Sequence, residues 1–523
     1  METFKTTTMF TIESNEIYGR YMVAAKYIKE GELILKETPA ILGSTIEGFH
    51  LCFRCCKPLR TSVQVCKNCG IATLCSQDCQ GINHPDSECT ALKATGIKAV
   101  QLINSPQVIM PLRSLLMRNY NEDLWNQFLS MEAHLNTRKD TLIWNSHREY
   151  IEQPLRDLNL LTDQDLEQNV IQKICGVLDV NSFEVRAPDE QVSSSINLTS
   201  HPQECLRAVY VQASLMTHDC TGNTLLSVDD DFVMTVHASK PIPAGEIVFF
   251  NYGNCLKGTY ERRQRLREGK YFDCVCRRCS DPSEMGTHLS SVKCKKCRNG
   301  LVIPTIPLSD VYKTSWTCQS CVTVYKGVLI KTTLDQLKEK IISRDPTSLS
   351  QGEQLLKNLE TFLAPQHHLI IELKQNLIPL YDYNSFNEMA MKRKMEFCED
   401  IIRVLKIVEP GISRLQGLAL FQLQSTQINL ANKQYQYKEI PASTYLETLL
   451  LAERNLTEAI KYLVYEPKNS PEGRLTKHAL NDLKILKSTI KQMRCLCGEG
   501  KLTQDKDLLH KLTRKPTVPT TVL

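Results

Sequence analysis

The spacing of cysteines constrains the fold of this 523-residue chain more than any other feature. Most of its 22 cysteines lie in pairs that are separated by only a few residues. Such spacing lets two thiolates reach one metal ion from a tight turn, whereas a disulfide between such close neighbours is strained. The cysteine-rich segments also hold few large apolar residues, so bound metal must replace a hydrophobic core there. We therefore predict a protein built around zinc sites.

The first cysteine cluster lies in residues 52–89 and offers eight ligands, enough for two tetrahedral zinc ions. Cys56 would be a spare thiol, and His50 stays an alternative to His84. With four protein ligands each, both sites would be closed and therefore structural. The eight predicted ligands are Cys52, Cys55, Cys66, Cys69, Cys75, Cys79, His84 and Cys89.

The second cysteine-rich region lies in residues 274–321 and predicts two further structural zinc sites. One has three ligands close together in the chain, and spacing alone leaves its fourth ligand open among Cys205, Cys220 and Cys255. The other has two Cys-x2-Cys pairs at zinc-ribbon spacing. The ligands are Cys274, Cys276 and Cys279 in the first site, and Cys294, Cys297, Cys318 and Cys321 in the second.

Charge and hydropathy narrow the class of protein. The 63 basic and 58 acidic residues give a net charge of +5, which is too even for a dedicated nucleic-acid binder, so direct nucleic-acid binding is not favoured. We find neither a signal peptide at the N-terminus nor an apolar run long enough to span a membrane. We expect an intracellular protein without membrane partners, in a compartment where thiols stay reduced.

Hydrophobic periodicity divides the chain into regions of different structure. Residues 12–50 are typical of short strands, with a hairpin-like turn at 29–32. Residues 91–180 are helical in pattern, and a second group of strands is predicted in 205–252. Beyond residue 331, long amphipathic patterns predict a TPR-like array of helices. Together these patterns predict an α+β protein of several domains.

Both the first cluster and its flanks resemble known modules. The cluster resembles a MYND finger, in which interleaved ligand pairs hold two zinc ions. The segment Gly19-Arg20-Tyr21-Met22-Val23-Ala24 resembles the first half of a SET domain. The segments 213–220, 244–247 and Asn251-Tyr252 resemble its second half. On the MYND model Cys52, Cys55, Cys75 and Cys79 hold one ion, and Cys66, Cys69, His84 and Cys89 hold the other.

A split SET domain with an inserted MYND finger is similar to the SET-and-MYND (SMYD) family. The Gly-Arg-Tyr opening and the additional zinc ribbon are most similar to its arthropod SmydA branch. The resemblance implies a β-rich SET domain, a post-SET zinc site and an all-α C-terminal domain. The implied domains are 1–50 as the N-terminal half of SET, 52–89 as the MYND finger, 90–200 as a helical insertion, 201–253 as the C-terminal half of SET, 254–282 as the post-SET segment, 290–325 as the zinc ribbon, and 331–515 as the TPR-like helical-repeat domain.

Members of this family transfer methyl groups from S-adenosylmethionine to protein lysines, which implies the same cofactor, a protein substrate and four structural zinc ions here. The family's Asn-His-x-Cys turn completes the post-SET zinc site, which selects Cys220 as the fourth ligand. Tyr252 would be the catalytic tyrosine where cofactor and lysine meet, and Phe183 would line the lysine channel. The implied cofactor contacts are Gly19, Arg20, Tyr21, Asn181, Ser214, Thr217, His218, Tyr252 and Phe272.

The chemistry explains why aromatic residues would surround the acceptor. A lysine ammonium, with a pKa of about 10.4, cannot attack a methyl group until it loses a proton. A narrow aromatic channel removes water from the amine and so favours its neutral form. The remaining task is alignment of two bound partners, which needs neither a metal nor a covalent nucleophile.

Four positions differ from the family's usual pattern. Tyr21 replaces the usual second glycine of the opening loop. Thr217 replaces the family's usual Asn, and Gly222 replaces its usual Pro. Lys270-Tyr271-Phe272 stands at the usual Tyr-x-Phe.

Two hypotheses about function follow from the resemblance and these departures. One is an active methyltransferase for histone or other proteins that regulates transcription in cytoplasm and nucleus. The alternative is a weak or inactive SET scaffold whose MYND finger binds Pro-rich peptides of co-repressor or deacetylase complexes or of chaperones.

Overall fold

The computed structural model describes residues 9–44, 50–59, 63–187, 205–384 and 387–498. These residues form two compact units. The first unit contains the described residues up to Asn254 together with Glu261–Cys276. The second contains Cys255–Tyr260 and the described residues from Arg277 onward. The seven domain boundaries expected from the sequence stay a prediction.

Two distant stretches of the chain pair with each other in the first unit. Leu33–Glu37 pairs with Met234–Ala238, and Ile41–Ser44 pairs with Cys205–Val209. The strands expected near both ends of this unit are therefore confirmed, and they share their sheets. The strands are Phe10–Asn15, Gly19–Ala24, Leu33–Glu37, Ile41–Ser44, Gln64–Val65, Thr73–Leu74, Ser182–Arg186, Cys205–Val209, Thr217–His218, Thr224–Val228, Met234–Ala238 and Phe249–Phe250.

The hairpin expected at residues 29–32 is wrong, although the turn itself forms. The Glu32 N–H donates to the Lys29 carbonyl at 3.0 Å. Gly19–Ala24, the strand before the turn, pairs with Phe10–Asn15, and the strand after it pairs with Met234–Ala238. A local turn signal specifies a reversal of the chain but not the partner of each strand, which depends on distant segments.

The helices of the first unit lie mainly between the finger and residue 181. Within the helical region expected at 91–180, the segment from Leu158 to Ile174 is not one continuous helix, because Thr162 caps a new helix and Asn169 adopts a left-handed conformation at φ +52°. The elements are Asp86–Ala94, Ala99–Ile103, Pro106–Val108, Ile109–Leu116, Met117–Asn119, Glu122–Leu129, Leu135–Arg138, Leu142–His147, Arg148–Glu152, Gln153–Asp157, Asp163–Glu167, Val170–Asn181, Ala213–Leu215 and Thr259–Lys270, the last of which starts in the second unit.

Two hydrophobic cores support the first unit. One joins side chains of the finger, such as Phe53 and Leu74, to helical residues such as Leu92 and Leu112. The other fills the space among the strands and includes Met22, Leu35, Leu206, Tyr210 and Val236, along with further strand residues. The second core holds together the strands on which the candidate site lies.

The second unit begins with a small antiparallel sheet and continues as helices. Its strands, in sheet order, are Val292–Lys293, Leu301–Pro304, Ser315–Cys318 and Val324–Lys326. Trp316 is buried in this sheet region, and its Nε1–H donates to the Val311 carbonyl at 2.7 Å. The predicted zinc ribbon therefore coincides with a compact four-stranded sheet.

Consecutive helices pack against each other in the rest of the second unit, which confirms the helical C-terminal region. Ser348, Asn387 and Ser413 cap helix starts with their side-chain oxygens. None of the helices in the described ranges is long and apolar enough to cross a membrane. The elements are Arg277–Ser280, Gly327–Ser343, Leu349–Phe362, His368–Leu377, Ile378–Asn384, Glu388–Val408, Arg414–Gln436, Ala442–Leu463 and Pro471–Gly498.

Candidate functional site

The predicted zinc ligands come together in four groups, and in each group all ligand atoms lie within 4.8 Å of one another. Ligands about 2.3 Å from a tetrahedral zinc lie about 3.8 Å from one another. In the finger the sulfur of Cys52 is 3.8 Å from that of Cys79, and that of Cys66 is 3.8 Å from that of Cys89. A disulfide would require about 2.05 Å. The separations suit a tetrahedral metal ion and not a disulfide.

The ligand pairs of the finger interleave as the MYND resemblance implied. His84 belongs to the second group, with its Nε2 3.8 Å from the Cys69 sulfur, and neither His50 nor Cys56 belongs to any group. Cys56 is buried, and burial raises the pKa of its thiol to about 12. The two groups are Cys52, Cys55, Cys75 and Cys79, and Cys66, Cys69, His84 and Cys89.

Cys220 lies with the post-SET cysteines. Its sulfur is 3.9 Å from that of Cys274, and the group is completed by Cys276 and Cys279. Cys255, the rival within the described side chains, is not part of it. The ribbon group is equally tight, with sulfur separations of 3.6 Å for Cys294 and Cys321 and 3.7 Å for Cys297 and Cys318.

Glu88 and Arg113, which the sequence reasoning missed, anchor the second finger group. His84 Nδ1 is 2.7 Å from Glu88 Oε2, so its Nε2 lone pair is left for metal. Burial opposes ionisation of Glu88, but Arg113 and His84 hold the pKa of this carboxyl below its usual range. Arg113 Nε donates to Glu88 Oε1 at 2.5 Å, and its Nη1 donates to the Leu42 carbonyl at 2.9 Å. This network links the finger to a strand of the SET-like sheet.

Replacing Glu88 by Gln is expected to weaken zinc retention by the finger about 10- to 100-fold, as for other partners of a zinc-bound histidine. Zinc transfer to a chromophoric chelator measures the effect. Asp86→Asn is the matched control, because Asp86 is an exposed carboxylate on the same helix. Equal zinc retention in the two variants would contradict the proposed support of His84 by Glu88.

Tyr252 and four neighbouring aromatic or imidazole rings form a group called here the Tyr252 cluster: Phe183, His218, Phe250, Tyr252 and Phe272. His218 lies 5.1 Å from the Tyr252 ring and 5.9 Å from the Phe272 ring, measured between ring centroids. Phe250 lies 6.1 Å from both Tyr252 and Phe183. The cluster thus joins residues that are up to 89 positions apart in the chain, and it forms where Phe249–Phe250 pairs in parallel with Thr217–His218.

The Tyr252 hydroxyl donates to the Met216 carbonyl at 2.5 Å. Burial raises the pKa of Tyr252 well above its usual range, so the phenol keeps its proton at neutral pH. A protonated phenol cannot act as a general base. Its oxygen can still accept a hydrogen bond and help to orient a neighbouring group.

His218 connects Tyr252 to the post-SET zinc group. The Tyr252 backbone N–H donates to His218 Nδ1 at 3.1 Å, so in the neutral ring the proton lies on Nε2. This Nε2 is 3.3 Å from the Cys220 sulfur, which also accepts from Arg262 Nε at 3.4 Å. Two N–H donors therefore face the Cys220 thiolate. A metal ion bound by Cys220 would hold this sulfur in place and, through it, the His218 ring that accepts from the Tyr252 backbone.

The opening strand and its neighbours supply polar groups beside the cluster. Gly19 has φ +65°, a left-handed conformation that glycine adopts without steric cost, and a Cβ there would meet open space. Arg20 Nη2 donates to the Ser130 carbonyl at 2.8 Å. Tyr21 is buried, and its hydroxyl donates to Glu13 at 3.3 Å. The Tyr21 side chain thus packs within the strand pair and does not occupy the open side of Gly19.

Asn181 and Arg20 contact the same short segment. Asn181 Nδ2 donates to the carbonyls of Glu132 and Val177, at 2.8 Å and 3.0 Å, which leaves its Oδ1 as an acceptor. The Ser130–Glu132 segment was not predicted as part of the site, and no sequence motif marks it. Ser214 Oγ donates to the Val211 carbonyl at 2.9 Å, and Thr217 is half-buried beside His218.

Comparison with known proteins also indicates a SET domain in this chain. Residues 19–253 match the family model of the SET domain. The Drosophila melanogaster SET domain-containing protein SmydA-8, isoform B, is 25% identical over 79% of this chain and 90% of its own length. A Dictyostelium discoideum SET and MYND domain-containing protein is 26% identical, over 61% of this chain and 96% of its own. Xenopus laevis N-lysine methyltransferase SMYD2-B is 26% identical over 51% and 60%.

The chain contains a SET domain. The resemblance to SET-and-MYND proteins is confirmed, since the SET match spans the finger and the similarity to SmydA-8 covers most of the chain. Within the SET domain the predicted cofactor contacts lie in two sets, one around Tyr252 and one around Arg20 and Asn181. Their binding roles stay predictions.

Lys270 is a further residue that the sequence reasoning did not place in the site. It ends the helix Thr259–Lys270 and lies beside the SET domain, with its Nζ 5.6 Å from the centroid of the Tyr252 ring. Tyr271 has φ +60°, and its ring instead lies 5.1 Å from His134. The departure from the family's Tyr-x-Phe pattern therefore puts an amine, and not a phenol, over the Tyr252 ring.

Proposed function

We propose that this protein is an S-adenosylmethionine-dependent protein-lysine N-methyltransferase. The observation that supports it most directly is the Tyr252 cluster, in which residues of the C-terminal SET half meet Phe183 of the helical insertion and Phe272 of the post-SET segment. A half-buried phenol among aromatic rings suits the desolvation and alignment of a lysine amine. The name of the Xenopus relative supports the same reaction class.

The residues beside the cluster suit a cofactor with an amino-acid end and an adenosine end. Arg20 uses one of its donors on the Ser130 carbonyl and has others for a carboxylate. Asn181 Oδ1 is left to accept from an ammonium group. Phe272 offers a ring for the adenine. S-adenosylmethionine, when bound, supplies the electrophilic methyl group, and the chain's own residues bind and orient the partners.

Activation of the acceptor lysine depends on exclusion of water from its amine and on hydrogen bonding to that amine. Phe183 and Phe250 provide apolar walls, so a lysine amine that enters loses hydration and deprotonates more readily. The Tyr252 oxygen accepts from the amine and orients its lone pair. His218 holds the Tyr252 backbone in place from the side of Cys220.

Isothermal titration with S-adenosylmethionine tests the proposal. We expect one binding event per chain. Because Arg20→Ala removes a charged donor, we expect it to weaken binding about tenfold or more. Arg118→Ala is the matched control, since Arg118 pairs with Asp165 at 2.8 Å and contacts none of the proposed ligand-binding residues. Absence of binding by the wild-type, zinc-loaded protein would contradict the proposal.

The finer parts of the function belong to the same proposal. We propose that the substrates are proteins, histone or other, that the reaction serves transcriptional regulation, and that the protein acts in cytoplasm and nucleus. Peptide arrays with a radiolabelled methyl donor test the substrates, and fluorescence microscopy of the tagged chain tests its location. Pro-rich partners of the MYND finger stay a prediction, which titration of Pro-rich co-repressor peptides into the isolated full-length chain would test.

A further inference from the structure

Lys270 differs in its contacts from Lys374 and Lys394, the lysines that are fully buried among the described residues. Lys374 and Lys394 are buried, but each has a carboxylate at 2.5 Å, from Asp400 and Asp382 respectively. Lys270 Nζ donates to the Val180 carbonyl and lies over the Tyr252 ring. Within the described residues it forms no ion pair. The Lys270 amine therefore faces a backbone carbonyl and an aromatic ring, where Lys374 and Lys394 each face a carboxylate.

Lys270 lies where little water reaches its amine, and the positive and negative side chains around it oppose each other's effect on its pKa. Burial, assisted by Arg265, lowers the pKa of Lys270 to about 8, while Glu184 and Asp179 oppose the shift. Both carboxylates already have arginine partners: Arg265 lies 3.9 Å from Glu184, and Arg138 lies 2.6 Å from Asp179. Tyr252 and His218, the titratable rings nearby, are held by the hydrogen bonds described above.

A lowered pKa makes the amine a nucleophile near neutral pH. At pH 7 an amine with a pKa of about 8 is neutral about 230 times more often than a lysine with the ordinary pKa of about 10.4. Lys270 therefore already satisfies the requirement that a substrate lysine has to meet in this site. Its position over the Tyr252 ring also suits a methylated ammonium, because such cations are stabilised by aromatic faces.

We propose that Lys270 is a methyl-acceptor lysine within its own chain, and that its ε-amine over the Tyr252 ring is methylated by the SET domain of the same chain. This inference rests on the proposed function. The Lys270 ammonium first releases a proton to water. The lone pair of Nζ then forms the new N–C bond while the carbon–sulfur bond of a methyl sulfonium donor breaks. The bonding pair stays on sulfur, which leaves as a neutral thioether.

Mass spectrometry of the purified, zinc-loaded chain tests the modification. The protein is incubated with deuterated-methyl S-adenosylmethionine and no other protein, digested, and its lysine peptides are compared. We expect label on Lys270, none on Lys374 or Lys394, and loss of that label in Lys270→Arg. Since the reaction is within one chain, dilution by about tenfold should not change the labelled fraction at a given time.

A second measurement does not require the cofactor. Reductive ¹³C-methylation of the free chain, followed by NMR titration, measures the pKa of each lysine amine. The signal of Lys270 is assigned as the one that is missing in Lys270→Arg. We expect a midpoint near pH 8 for Lys270 and about 10.4 for exposed lysines. Because half of the amine is neutral at a pH equal to its pKa, self-methylation should be half-maximal near pH 8 and should level off at higher pH.

The outcomes separate this inference from the proposed function. Label at other lysines only, or an ordinary midpoint for Lys270, would overturn the inference and leave the methyltransferase proposal standing. The same holds if S-adenosylmethionine binds in calorimetry but Lys270 stays unlabelled. Absence of cofactor binding would overturn both.

Discussion

Replacing Tyr252 by Phe is expected to slow methyl transfer to a protein substrate about 100-fold or more, the scale of losing one well-placed hydrogen-bonding group at a reaction centre. The variant keeps the ring and its contacts with His218 and Phe250, so the walls of the site stay in place. It loses the oxygen that would orient the amine. Transfer of labelled methyl groups under single-turnover conditions measures the effect.

Tyr210→Phe is the matched control for this loss. The Tyr210 hydroxyl donates to the Phe232 carbonyl at 2.7 Å, as the Tyr252 hydroxyl donates to Met216, and Tyr210 is fully buried. Both variants leave a buried carbonyl without its donor, which costs about 1–3 kcal/mol of stability. If the two variants have similar thermal midpoints and methyl transfer is reduced only in Tyr252→Phe, the Tyr252 hydroxyl has a role in the reaction. Equal transfer rates in the two variants would exclude that role.

Replacing Cys52 by Ala is expected to remove one zinc ion per chain and to unfold part of the MYND finger. Cys52 is fully buried, and the finger has few apolar side chains of its own apart from Phe53, Ile71 and Leu74. Structural zinc supplies on the order of 10 kcal/mol in isolated fingers, an upper bound in a chain with neighbouring cores. Elemental analysis should fall by one equivalent, and protease cleavage between residues 52 and 89 should become faster.

Cys56→Ala separates metal binding from simple packing. Cys56 is a buried cysteine of the same finger, but it lies outside every ligand group. Its φ of +57° is equally unfavourable for Ala and Cys, so the substitution adds no backbone strain. We expect full zinc content and unchanged cleavage. If Cys52→Ala also kept its full zinc content, the metal assignment of the first group would be wrong.

Sequence reasoning was most successful where the signal is local. Ligand spacing within a few residues brings thiolates together through the geometry of a single turn, whichever way the rest of the chain runs. The helical pattern of the C-terminal region likewise depends on neighbours three or four positions apart. The hairpin expected at residues 29–32 failed because strand pairing is not local: Leu33–Glu37 pairs with a segment about 200 residues away.

By itself the amino-acid sequence determined the zinc-ligand spacing, the order of strands and helices, and the resemblance to SET-and-MYND proteins. Only the tertiary structure decided which other distant groups meet: Arg113 between the finger and Leu42, and the Lys270 amine over the Tyr252 ring. The physical reason is that such contacts depend on the path of the whole chain. Burial of apolar residues from both halves of the SET domain sets that path, and no local pattern encodes it.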